Sequence, residues 1–206
     1  MNGGIALDGN LNSIFIGSSS RGLGYAIRLK EKINEAFAGK GMNGIQCDLW
    51  NDVGLFELSL ATIESLISIA KRLKASGGYA ILLFTPDDLT TLNVGRKGQE
   101  SIVLAPRDNV VFELGLFTGL LERDHTFCVC PENIDNFRLF SDWQGVTNAR
   151  YSHAWRGNYD KKMEKVAVRI VSQIIKNLHQ APEPPTENSN KKDDIDEVLL
   201  KLSDKL

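Results

Sequence analysis

A single carboxylate interrupts the most apolar stretch of the chain. Residues 110–121 read VVFELGLFTGLL, and Glu113 is the only ionisable residue among them. A carboxylate in apolar surroundings costs free energy unless something compensates its charge. One interpretation is a structural pair between Glu113 and either Arg107 or a backbone donor. The other is a functional carboxylate that faces a cationic or hydroxyl-bearing ligand.

A glycine-rich turn is the second place where chemistry is expected. Residues 15–27, FIGSSSRGLGYAI, pass from an apolar strand through small residues into a helical pattern. This is the usual setting for phosphate binding at a helix N-terminus, although glycines also simply permit a tight turn. A P-loop is excluded because Leu23 stands where its lysine should follow Gly22. A short-chain dehydrogenase is disfavoured because no tyrosine is followed by lysine four residues later.

Three more side chains follow predicted strands. Trp50 ends a strand, where it either packs in the core or stacks on a ligand. Asp87 and Asp88 come after Pro86, so they are turn formers first, and an adjacent pair of carboxylates is weak support for a metal or acid–base role. The three histidines lie far apart, and no zinc-ligand spacing appears, so no metal site is predicted.

Alternating strands and helices position these residues. We predict strands over residues 13–18, 45–49, 79–84, 126–130 and 146–151, and helices over residues 23–38, 62–75, 110–121 and 161–179. The alternation predicts an α/β fold with a central parallel sheet of about five strands, flanked by helices on both faces. The intervening residues 89–106 are expected to form a mobile lid or a disordered loop.

The ligand edge of such a sheet lies beyond the carboxyl ends of its strands. Residues 18–21, 50–52 and 85–88 follow three of the strands and should meet there. Asp108 or Asn109 is the expected N-cap of the third helix. Glu113 would then lie in the opening turns, where the helix dipole favours its ionised form.

Composition limits the class of protein. The chain has 206 residues, 42% of them hydrophobic and 24% charged, as in soluble globular proteins. A net charge of −2 predicts no basic surface for a nucleic acid polymer. We expect a cytoplasmic protein without a membrane segment, because no signal peptide and no long apolar run appear. Cys47, Cys128 and Cys130 are expected to be reduced core residues, the last two on opposite faces of a strand.

The domain is predicted to span residues 1–180. Residues 181–194 are rich in proline and polar residues and are typical of a linker. Residues 195–206 place apolar side chains on one stripe of a short amphipathic helix, whose role the sequence does not indicate.

Four segments together resemble a known family. They are IFIGSSS, YAILLFTPDD, RDNVVFELGLFTGLLER and LFSDWQGVTNARY, in this order between residues 13 and 176. The chain is similar to bacterial TIR-like domains, and in particular to the TIR effectors of cyclic-nucleotide anti-phage systems (CBASS and Pycsar). The resemblance implies a flavodoxin-like TIR fold and an NAD nucleosidase that cleaves the nicotinamide–ribose bond.

The resemblance also assigns residues. It implies that Glu113 is the catalytic glutamate and that residues 50–59 form the flexible BB loop. The implied substrate-binding positions are Gly17, Ser18, Ser19, Trp50, Asp87, Asp88, Arg107 and Asn109, with Asp108 in the same motif. NAD would be a substrate, with no separate cofactor. The partners implied are further copies of the chain and a sensor for a cyclic nucleotide, on this chain or another.

Two other functions remain open at this stage. One is a TIR-type scaffold that signals by self-association without turnover. The other is an enzyme similar to nucleoside deoxyribosyltransferases, which also use a glutamate in an α/β setting. For an NAD-cleaving enzyme, the sequence does not decide between ADP-ribose and a cyclic product. Self-association is expected to activate it, because the BB loop carries the apolar residues Val53, Leu55, Phe56 and Leu58.

Overall fold

The computed structural model describes residues 13–52, 62–93, 100–139, 148–153 and 159–180. In chain order its elements are β1 (Ser13–Ser18), α1 (Leu23–Ala38), β2 (Gln46–Leu49), α2 (Thr62–Ala75), β3 (Tyr79–Leu83), β4 (Asp88–Asn93), β5 (Glu100–Ala105), α3 (Asp108–Leu121), a 3₁₀ turn (Arg123–His125), β6 (Thr126–Glu132), β7 (Asn148–Ser152) and α4 (Tyr159–Gln180).

Five strands form one parallel sheet in the order β2-β1-β3-β6-β7. This confirms the predicted flavodoxin-like α/β fold. Every residue of β3 is buried, because helices cover both faces of a parallel sheet. The chain leaves β1 towards β2 on one side and later returns to β3 on the other. The crevice between β1 and β3 is therefore the switch point at which open α/β sheets bind ligands.

Two helical layers enclose the sheet. Ile14 and Ile16 point into a core shared with α1 and α4, whereas Phe15 points to the other face, as the two-residue period of a strand requires. On that face the Phe15 ring stacks on Phe117 of α3 with 5.0 Å between centroids, and α2 completes the layer. The sheet therefore has an α1/α4 face and an α2/α3 face.

The segment expected to be a lid or a disordered loop is a hairpin. β4 and β5 pair antiparallel from Asp88 opposite Ala105 to Asn93 opposite Glu100. Residues 94–99 between them lie outside the described part of the chain. The hairpin rests on the domain through backbone hydrogen bonds from Leu104 N to Asn136 O and from Arg138 N to Leu104 O. Its β-branched residues Thr90, Thr91, Ile102 and Val103 favour strands, but they do not alternate with polar residues, and a polar, glycine-containing segment separates the two strands in the sequence.

The expectation that Cys128 and Cys130 face opposite sides of the sheet is wrong. Residues two apart on a strand share a face, and both thiols lie in the α2/α3 core with 3.2 Å between their Sγ atoms. Both are free cysteines. The hydrogen bond with Cys130 and then burial raise the pKa of Cys128, which favours the neutral thiol.

Several predicted features lie outside the described residues. These are most of the BB loop, the linker over residues 181–194 and the helix over residues 195–206. Among the described helices, none combines the length and the apolar character that a membrane span requires.

Candidate active site

Glu113 lies at the ligand edge of the sheet, on the α2/α3 face. It belongs to the second turn of α3, which begins directly after the hairpin. A methyl group added at Gly17 would lie 3.1 Å from Glu113 Oε2. The carboxylate therefore lies against the carboxyl end of β1, and the absence of a side chain at residue 17 leaves it room.

No partner neutralises this carboxylate within the described ranges. Arg107, the partner considered from sequence, lies instead with its Nη1 3.3 Å from Asp88 Oδ1. Burial raises the pKa of Glu113 from about 4.5 to about 7. The helix dipole thus does not keep the group fully ionised as expected, because desolvation is the larger effect.

The start of α3 also differs in detail from the expectation. Arg107, not Asp108 or Asn109, occupies the N-cap position, and no side chain caps the helix. Asp108 Oδ1 accepts a hydrogen bond from Asn109 N at 2.8 Å, so it is used within the first turn. Asn109 is exposed.

The serines after β1 bind protein groups. Ser18 Oγ accepts a hydrogen bond from Trp50 Nε1 at 3.0 Å. Ser19 Oγ lies 3.0 Å from Thr85 Oγ1 and accepts the Gly22 N–H. These bonds join the ends of β1, β2 and β3 into one edge. The turn therefore builds a wall of the site, and the Gly22 N–H is not available to a phosphate.

The two adjacent aspartates separate in the structure. Asp88 pairs with Arg107 at the surface, whereas Asp87 is buried, with a relative exposure of 7%. Asp87 lines a cavity of about 320 Å³ together with Arg21, Tyr25, Thr85, Pro86, His153 and Tyr159. Glu113 is not part of this cavity, whose aromatic walls belong to the α1/α4 side of the sheet.

The structure therefore divides the predicted site residues between two places. Glu113 and Gly17 meet on one face of the sheet, and Asp87 lies with the cavity at the opposite side of the β1–β3 edge. Trp50 packs against the α2/α3 core and is bonded to Ser18, whereas Ser19 is bonded to Thr85 of the cavity wall. Asp88, Arg107 and Asn109 belong to neither place. Sequence reasoning missed Tyr25, His153 and Tyr159 as cavity residues, because Tyr25 lies among the apolar core residues of α1 and the other two are distant from it in sequence, so no local spacing marks them.

The raised pKa of Glu113 has a consequence for stability. Between pH 4.5 and pH 7 the folded chain retains a proton that the unfolded chain releases, so this group lowers the free energy of unfolding as pH rises. Glu113→Gln removes the cost, and we expect it to stabilise the fold at pH 8 by about 2 kcal/mol, allowing for partial exposure.

Urea unfolding of both proteins at pH 4.5 and pH 8 measures this difference. At pH 4.5 the gain should be much smaller, since the folded wild-type residue is then neutral. A stabilisation that does not change between the two pH values would contradict the assigned desolvation of Glu113.

Fold and site together define a flavodoxin-like α/β domain with a carboxylate at its ligand edge. Residues 13–153 match the family described as "CAP12/Pycsar effector protein, TIR domain". The chain belongs to this family of TIR-domain effectors.

Curated relatives carry related names. A "CD-NTase-associated protein 12" from Sphingobacterium faecium is 30% identical over 163 residues, which cover 79% of this chain and 43% of that protein. A protein of the same name from Niabella drilacis is 34% identical over 140 residues, 67% of this chain and 39% of the relative. "Pycsar effector protein PaPycTIR" from Pseudomonas aeruginosa is 38% identical over 98 residues, 48% of this chain and 28% of the relative. The matched region thus spans less than half the length of these relatives.

Proposed function

We propose that this TIR domain is an NAD nucleosidase that cleaves the nicotinamide–ribose bond, and that it acts as an anti-phage defence effector. The observation that carries the proposal is the half-buried Glu113 carboxylate at the ligand edge, with no neutralising partner among the described residues. Membership of the CAP12/Pycsar effector family supports the same conclusion.

Charge is what Glu113 supplies to this reaction. The C–N bond breaks with its electron pair passing to the nicotinamide nitrogen, so nicotinamide leaves neutral and the ribose becomes an oxocarbenium-like cation. A carboxylate about 4 Å away attracts that cation by roughly 4 kcal/mol at an effective dielectric constant near 20. A fixed charge in a partly desolvated site acts without reorganisation.

Substrate binding also favours the ionised state of Glu113. The nicotinamide ring of NAD carries a positive charge, and an opposite charge nearby lowers the pKa of a carboxyl group. In the free protein the group titrates at about pH 7, so a substantial fraction is already ionised near neutrality. Water attack at the ribose carbon then gives ADP-ribose and a proton, whereas attack by an adenine nitrogen of the same molecule gives a cyclic product.

One assay tests the proposal. Purified chain is incubated with NAD, and separately with a nucleoside, while nicotinamide and free base are measured by chromatography. Nicotinamide release from NAD alone is expected. Base release from the nucleoside would indicate the deoxyribosyltransferase-like alternative. An inert but self-associating chain would indicate a scaffold.

We also propose that self-association switches this activity on. An effector that consumed NAD continuously would poison its own cell, and the apolar BB-loop residues follow closely after Trp50 in the sequence. Docking of a second copy against that loop could shift an existing equilibrium towards an open site. In the longer relatives there is room for a sensor, and we propose a cyclic nucleotide as the signal.

The expected result is a specific activity that rises with protein concentration. Phe56→Asp should lower the activity at high concentration at least tenfold, since a few kcal/mol of interface energy decide the population of the active state. Val168→Asp is the matched control, because Val168 is 53% exposed on α4. Specific activity that stays constant from nanomolar to high micromolar protein, in a sample that sedimentation shows to be monomeric, would exclude this switch.

A further inference from the structure

Asp87 is a buried carboxylate without a hydrogen-bond donor among the residues that the structure describes. Its relative exposure is 7%, and neither carboxylate oxygen has a hydrogen-bond partner within the described ranges. Buried polar groups are nearly always hydrogen-bonded, since leaving one unsatisfied costs its full desolvation free energy. This pair of oxygens therefore requires an explanation.

The backbone around Asp87 is held by hydrogen bonds at both its N–H and its carbonyl oxygen. The Asp87 N–H donates to Ala105 O at 3.0 Å. Arg21 Nη1 donates to the Asp87 carbonyl oxygen at 2.6 Å. The main chain is thus bonded on both sides, and only the carboxylate remains available to a ligand.

The cavity in front of Asp87 has the size and walls of a nucleoside site. Its volume of about 320 Å³ is at the lower end of the range for small-molecule pockets. The rings of Tyr25 and Tyr159 meet edge to face, with 4.5 Å between centroids. His153 lies beside them, with 5.6 Å between its ring centroid and that of Tyr25. Burial lowers the pKa of His153, which favours its uncharged imidazole. Aromatic faces of this kind bind heterocyclic bases.

The charges that line the cavity decide which ligand group the Asp87 carboxylate binds. Two free oxygens match either a cation or a vicinal diol, the group that acidic residues bind in dinucleotide folds. The Arg21 guanidinium, which also lines the cavity, repels a cation but attracts a phosphate. A neutral diol attached to a phosphate therefore fits both residues.

We propose that the Asp87 cavity is a nucleotide subsite in which Asp87 binds a ribose 2′,3′-diol, Arg21 binds the phosphate and the base lies against the tyrosines. In so far as the nucleotide is part of NAD, this inference rests on the proposed function. The reacting ribose would lie at Glu113, and the chain of phosphates would cross the sheet edge near Ser19. The adenosine half would occupy the Asp87 cavity on the other side.

Calorimetric binding of AMP, 2′-deoxy-AMP and 3′,5′-cyclic AMP to the full 206-residue chain tests the subsite without turnover. Asp87→Asn should weaken AMP binding by about tenfold or more, as expected when hydrogen bonds to a charged group are lost. It should weaken 2′-deoxy-AMP by a smaller factor, because that nucleotide keeps only the 3′-hydroxyl as a donor to Asp87. Asp135→Asn is the matched control and should change AMP binding less than twofold, because Asp135 is exposed and does not line the cavity.

A second variant covers the case in which Asp87→Asn fails to fold. Arg21→Gln alters an exposed side chain and should weaken AMP while leaving adenosine binding unchanged. Equal AMP affinity in wild type and both variants would overturn the subsite, and so would cyclic AMP binding as tightly as AMP. If AMP binding depends on Asp87 but NAD is not cleaved, the proposed function fails and the subsite stands. If NAD is cleaved but the affinities for AMP and ADP-ribose are the same with Asp or Asn at residue 87, the subsite fails and the proposed function stands.

Discussion

Replacing Glu113 by glutamine is expected to lower the rate of nicotinamide release by about a thousandfold. Glutamine keeps the volume of the side chain and removes its charge. The roughly 4 kcal/mol of attraction estimated for a carboxylate near the developing cation corresponds to about that factor in rate. Initial rates of nicotinamide release under saturating NAD measure the effect.

Glu164→Gln is the matched control, because it makes the same chemical change at an exposed position of α4. It should leave the rate unchanged. Retention of more than about a tenth of the wild-type rate by Glu113→Gln would rule out a charge-stabilising role, since the Coulomb attraction demands a far larger loss. A lower rate in Glu113→Gln would not be due to unfolding, because this variant is expected to be more stable than the wild type at pH 8.

Gly17→Ala is expected to lower the rate by about a hundredfold. The new methyl group would lie 2.6 Å from Leu82 Cδ1 and 3.1 Å from Glu113 Oε2, so the leucine must move and the carboxylate is pushed away from β1. A displacement of about 1 Å at a catalytic group typically costs two orders of magnitude. Overpacking should also lower the free energy of unfolding by about 1–3 kcal/mol.

Gly78→Ala separates these two effects. Its methyl group would lie 2.6 Å from the Ser13 carbonyl oxygen at the amino end of the sheet, far from the ligand edge. We expect at least as large a loss of stability in denaturant unfolding, because a backbone oxygen yields less easily than a leucine side chain, but a normal rate at temperatures where the variant is folded. A wild-type rate in Gly17→Ala would show that the position of the carboxylate against β1 does not matter for turnover.

The central sheet could be predicted because its signals are local and strong. YAILL in β3 is apolar throughout, and α1 and α2 repeat apolar residues at helical spacing, so burial on both faces follows from the sequence. The β4–β5 hairpin was missed for the opposite reason. Its strands are partly exposed and separated by a polar tip, and the backbone hydrogen bonds that join it to the domain reach Asn136 and Arg138, which are distant in sequence.

The site was predictable only in part. That Gly17 and Glu113 share an edge follows from the rule that ligands bind beyond parallel strands. That Asp87 is buried while Asp88 faces Arg107 does not follow, since adjacent residues in a turn have no fixed period. The raised pKa of Glu113 likewise reflects its three-dimensional surroundings, whereas the sequence shows only its place in a helix.

The hairpin leaves and rejoins the domain at almost one point, where the Asp87 N–H meets the Ala105 carbonyl. When a segment whose ends are held together becomes longer, the entropic cost of closing the loop on folding rises only slightly. Over evolutionary time, insertions and deletions between β4 and β5 can therefore accumulate without displacing β3 or α3. The hairpin is therefore a place where new recognition elements can be added, or grafted by a protein engineer, next to the proposed active site.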